Sequence, residues 1–123
     1  MKVQKMMNKV VVILEDEGNV ANILQIIAKK HGFTPICFMY VDNLIEDIHV
    51  LKEADLFITD YNLYDSTVIP LLKKIKEKDI HVHTILNSGN PNAIDDIKNS
   101  GLSDYIHETF NKTENFSKFF EKC

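Results

Sequence analysis

Apolar residues fall in two alternating patterns along the 123-residue chain. The first is a short unbroken apolar run, the mark of a strand buried on both faces. The second is apolar spacing of three to four residues, the mark of an amphipathic helix. Val10 to Leu14 is such a run, and Ala21, Ile23, Leu24, Ile26 and Ile27 follow at helical spacing. This helix takes Asn19 as its N-cap, has Lys29 and Lys30 opposing the macrodipole, and stops at Gly32. Thr34 to Phe38 is a second strand, followed by a helix carrying Leu44, Ile45, Ile48 and Leu51. Leu56 to Thr59 is a third strand, and Val68, Ile69, Leu71, Leu72 and Ile75 form an amphipathic helix with Pro70 in its first turn. Val82 to Leu86 is a fourth strand. A Ser88-Gly89-Asn90-Pro91 turn follows it, then a short helix on Ala93, Ile94 and Ile97 that ends at Gly101. Tyr105-Ile106 is a short fifth strand, and Phe116, Phe119 and Phe120 lie on one face of a closing helix capped by Thr113.

Five strand–helix units in succession predict an α/β fold, with a doubly wound parallel sheet covered by helices on both faces through right-handed crossovers. One domain is expected, from residue 9 to residue 123, preceded by an N-terminal tail of residues 1–8. The formal charge of −4 argues against generic nucleic-acid binding. Cys37 and Cys123 make no disulfide framework, and no stretch is long enough for a signal-peptide core or a membrane span. A cytoplasmic protein is the expectation.

Two of the apolar runs stop at acids: Glu15 and Asp16 after the first, Asp60 after the third. Ligands of open α/β sheets gather outside the carboxyl ends of strands. If the two strands are neighbours, three carboxylates converge on one small volume. Like charges that close call for a cation, and an all-oxygen set suits a hard ion such as Mg²⁺. His81 and His83 lie on the same side of a strand but have no evident third ligand.

These residues resemble the receiver domain of bacterial two-component response regulators, over essentially Lys9 to Cys123. The resemblance implies a flavodoxin-like (βα)5 fold with strand order 2-1-3-4-5. It implies that Glu15, Asp16 and Asp60 hold Mg²⁺ with a backbone carbonyl from Asn62, and that Asp60 is the phosphorylated residue. Ser88 and Gly89 then contact the phosphoryl group, and Tyr105 is the switch aromatic of strand five. The implied function is a stand-alone receiver in phosphorelay signal transduction, a phosphoacceptor rather than a turnover enzyme. Its partners are a histidine kinase or phosphotransfer protein and a downstream protein target, with neither nucleic acid nor membrane, and homodimerisation is left open.

The sequence departs from that family in two places. Glu108 stands where the family has a lysine, and Tyr64 stands where it usually has proline. The first departure suggests a competing reading, a pseudo-receiver that binds proteins and in which Glu108 disables phosphorylation. A phosphatase of the haloacid dehalogenase type is weaker, because the second acid of its DxD motif is Asn62 here.

Overall fold

A computed structural model describes residues 9–111 and 115–121. Five parallel strands form one sheet: β1 (Lys9–Leu14), β2 (Phe33–Phe38), β3 (Leu56–Thr59), β4 (Thr84–Asn87) and β5 (Glu108–Phe110). Their order across the sheet is β2-β1-β3-β4-β5, the order expected from the sequence. Four helices connect them: α1 (Gly18–Lys30), α2 (Val41–Glu46), α3 (Ile69–Glu77) and α4 (Ala93–Asn99). Among the described residues, no helix is long and apolar enough to cross a membrane.

The strands alternate between two cores, as period-two side chains must. Val11, Ile13, Leu56, Ile58 and Ile85 face a core built with Leu24 and Ala28 of α1 and with Phe116, Phe119 and Phe120. Val12, Leu14, Phe57 and Leu86 face the other core, shared with Leu44, Leu71, Leu72, Ile75 and Ile97. Burial on both faces explains why these strands are uninterrupted apolar runs rather than alternating ones. Each fully buried Leu, Ile or Phe contributes about 1.5–3 kcal/mol.

Several elements differ from the sequence-based expectation. Helix α1 begins at Gly18 after an N-cap at Glu17, ahead of Asn19. The second helix is a short α2 followed by a 3₁₀ turn over Ile48–Lys52. Its first two N–H groups, those of Val41 and Asp42, donate to the carboxylate of Asp65 at 3.0 and 3.1 Å. A residue from the loop after β3 thus caps a helix more than twenty positions earlier. Burial pushes the Asp65 carboxyl up, but these backbone donors outweigh it and hold the group below its usual value. The closing segment is a 3₁₀ turn, Phe116–Phe120, with Asn115 at its N-cap position. Thr113, Cys123 and the tail of residues 1–8 lie outside the described residues.

The fifth strand is the principal correction. Tyr105 belongs to a 3₁₀ turn, Ser103–Tyr105, and the strand lies three residues further on, at Glu108–Phe110. Its partners are Ile85, Leu86 and Asn87. The strand is fastened by polar contacts where a core strand would use apolar ones. Glu108 pairs with His83 at 2.6 Å. His107 donates its N–H to the Thr84 carbonyl at 2.9 Å, and its ring Nδ1 accepts the Thr84 N–H at 3.0 Å. A backbone N–H can only donate, so His107 Nδ1 carries no proton in this fold. Burial and the neighbouring His83 lower the His107 pKa from 6.5, while Glu108 opposes the shift.

The contribution of His107 to stability is therefore complete above pH 6.5, where the unfolded chain is also neutral. It falls as pH drops through the lowered folded-state value, because only the unfolded chain binds the proton readily. Urea denaturation between about pH 7.5 and about pH 5 should show this loss, and His107→Gln should flatten the dependence. Asp65→Ala should cost about 1 kcal/mol of stability and lower hydrogen-exchange protection in α2 first.

Candidate functional site

The site is assembled by backbone bonds that carry the sheet ladder one residue past each apolar strand. The Glu15 N–H donates to the Phe38 carbonyl at 3.0 Å, that of Asp60 to Leu14 at 3.2 Å, and that of Ser88 to Phe110 at 3.0 Å. Leu14 and Thr59 are register partners, so the acids that follow them emerge side by side. Glu15, Asp16 and Asp60 each offer a carboxylate oxygen within 4.8 Å of the others. Glu15 is only 3% exposed. Two unit charges that far apart repel by about 3.5 kcal/mol at an effective dielectric near 20. Three oxygen donors of like charge, two following β1 and one following β3, fit a hard divalent cation such as Mg²⁺.

Local bonds orient the surroundings. Asp60 Oδ1 accepts the Tyr61 N–H at 2.6 Å, and Glu15 Oε2 accepts the Glu17 N–H at 3.2 Å. Cys37 lies near enough that burial first, and the Glu15 charge second, push its thiol pKa up. It is a protonated thiol at neutral pH, an unsuitable ligand beside carboxylates.

Ser88 is 8% exposed, and its Oγ accepts the Asn90 N–H at 3.0 Å, which forms the turn into α4. The Asn90 side chain donates to Asn62 Oδ1 at 2.9 Å. The backbone of Asn62 forms an isolated antiparallel bridge with Thr67. The loops after β3 and β4 are thereby joined. Ser88, Gly89, Asn90, Ile94, Phe110 and Asn111 contribute to a groove of about 350 Å³ that none of the three acids lines. Tyr64 is 82% exposed and makes an edge contact with Tyr40 at 6.0 Å, so proline's place in this loop is taken by a solvent-facing aromatic.

Two residues singled out in the sequence lie elsewhere. Tyr105 lines a second groove with Ile75, Ile80, Val82, His83 and His107, around the start of β4, whereas Ser88 follows its end. Glu108 is paired with Ile85 in the sheet and turns its carboxylate to His83. Ser88 lies three positions beyond Ile85, about 10 Å along the strand.

Sequence reasoning missed Tyr61. Its ring is 4% exposed, and its hydroxyl donates to Asp96 Oδ2 at 2.9 Å. Burial, then the Asp96 hydrogen bond, raise its phenol pKa. Its partner is 35 residues away, and no local pattern announces such a contact.

No protein-family model matches the chain. The cell cycle transcriptional regulator CtrA of Caulobacter vibrioides is 27% identical over 109 residues, which cover 85% of this chain and 46% of that protein. The chain therefore spans about half the length of the curated relative it matches. Solved structures are similar over nearly the whole chain. The signal receiver domain of a putative Luxo repressor protein from Vibrio parahaemolyticus has a TM-score of 0.74 at 19% identity, covering 91% of this chain and 84% of that one. Response regulator TrrA from Thermotoga maritima, solved in complex with Mg²⁺-BeF, has a TM-score of 0.75 at 18% identity, covering 93% and 95%. A response regulator receiver domain from Clostridium thermocellum has a TM-score of 0.76 at 15% identity, covering 93% and 92%. With the strand order and the helices on both faces, these matches establish the architecture: the chain has the fold of response-regulator receiver domains.

Proposed function

We propose that this chain is a phosphoacceptor in phosphorelay signalling, with Asp60 as the residue modified. The observation that carries the reading is the convergence of Glu15, Asp16 and Asp60 at the carboxyl ends of adjacent strands. A carboxylate oxygen of Asp60 attacks the phosphorus of a phosphohistidine on a histidine kinase or phosphotransfer protein. A P–O bond forms and the P–N bond breaks, giving an aspartyl phosphate and an imidazole that takes a proton from solvent. Glu15, Asp16, Asp60 and the Asn62 carbonyl would hold Mg²⁺. When bound, such a cation offsets the repulsion between an anionic nucleophile and an anionic phosphoryl group. Ser88 keeps its hydroxyl proton to donate while its Oγ accepts from Asn90, and with the Gly89 N–H it receives phosphoryl oxygens. The signal leaves by protein contact, consistent with a net charge of −4 that offers no general basic surface.

The pseudo-receiver reading rested on an anion at position 108 facing the phosphoryl group. Glu108 is held by His83 at the far end of β4, which weakens that electrostatic argument.

Intact-mass analysis after incubation with acetyl phosphate or phosphoramidate tests the reading. The expected outcome is an Mg²⁺-dependent gain of one phosphoryl group, lost in Asp60→Asn. Glu108→Gln should leave the yield unchanged; a large increase would instead support Glu108 as the disabling group. Asp16→Asn should weaken Mg²⁺ binding by about tenfold, about 1.4 kcal/mol. Without metal the same substitution should raise the melting temperature by relieving like-charge repulsion, and added Mg²⁺ should stabilise the native chain far more than the variant.

A further inference from the structure

Tyr61 touches three parts of the molecule at once. Its N–H donates to Asp60 Oδ1 at 2.6 Å, so its backbone senses the charge on that carboxylate directly. Its carbonyl accepts the Val68 N–H at 2.9 Å, at the entrance to α3. Its buried ring carries the hydroxyl to Asp96 on α4, at 2.9 Å. A tyrosine side chain has only two rotatable angles, so it works as a short stiff rod. A nearby bond between the loops after β3 and β4, Asn90 to Asn62, is exposed, where water competes for both amides. Tyr105, the aromatic that the sequence nominated for coupling, lies at the opposite end of β4.

We propose that Tyr61 is a positioning residue that couples the charge on Asp60 to the placement of α4. A hydrogen bond to an ionised acceptor is shorter and stronger than one to a neutral acceptor. Neutralising Asp60 Oδ1 therefore relaxes the grip on the Tyr61 N–H, and the rod transmits that change to Asp96. Helix α4 displays Ile94, which is 48% exposed, so its displacement alters an apolar contact surface. The use of this coupling in signalling rests on the phosphoacceptor reading, whereas the coupling itself requires only a change of charge at Asp60.

Asp60→Asn supplies that change without any phosphoryl donor. Amide spectra of the ¹⁵N-labelled protein should show shifts across residues 93–99 in Asp60→Asn. Those shifts should be lost when Tyr61→Phe is added, a substitution that keeps the buried ring and removes only the hydroxyl. Asp96→Ala should abolish them equally with the Tyr61 hydroxyl intact. Shifts in α4 that persist unchanged in the Tyr61→Phe background would overturn the proposal, as would an α4 unmoved by Asp60→Asn. A second arm uses Mg²⁺ with beryllofluoride. Tyr61→Phe should bind this phosphoryl mimic with native affinity yet lose the α4 response, a split that a purely structural role would not produce. Failure of the native chain to bind the mimic would count against the phosphoacceptor reading, while the amide spectra decide the coupling by themselves.

Discussion

Everything at the acidic end of this molecule depends on the sheet ladder continuing for one residue beyond the apolar strands. Glu15, Asp60 and Ser88 are each the first residue past a strand, and each has its N–H bonded to a carbonyl of the adjacent strand. The backbone thus fixes where these three side chains begin, before any contact among them is considered. The cost is electrostatic. Three carboxylates are brought within 4.8 Å by a sheet whose hydrophobic burial is large enough to impose the arrangement. A site made in this way is preorganised for a cation, because the repulsion is already present in the resting fold.

Hydrophobic patterning made the central sheet legible. β3 spans Leu56–Thr59, the bounds its apolar run indicates, and Asp60 follows it as expected. β5 was illegible for a physical reason. Glu-Thr-Phe at a sheet edge buries little, and with the preceding His107 it is attached to His83 and Thr84, which are distant in sequence. The apolar pair Tyr105-Ile106 looked more strand-like but packs as part of a turn against the core beside α3 and α4. The acids were found because strand ends carry a positional meaning. Tyr61 and Asp65 were missed because each works through a partner more than twenty residues away.

The two ends of the sheet have different chemistries. At the carboxyl ends lie carboxylates, a hydroxyl and amides; around the start of β4 lie His81, His83, His107 and the carboxylates of Asp79 and Glu108. The first set offers hard oxygen donors of the kind that suit a divalent cation. The second includes His107, whose proton uptake burial and the neighbouring His83 hold below the ordinary histidine value, and it fastens the short edge strand β5. The same strand β5 also meets the acidic end, where the Phe110 carbonyl accepts the Ser88 N–H.

The brevity of β5 bears on how copies of this protein meet. A sheet edge is a template for a further strand, and long, flat, apolar edges invite stacking into fibres. This edge offers only three residues, with a glutamate first and an exposed threonine in the middle. Few backbone groups are presented, and a neighbouring copy added in register would bring glutamates together. Side-by-side extension at this edge is disfavoured, which leaves the six-residue β2, at the opposite edge, as the longer template for a further strand.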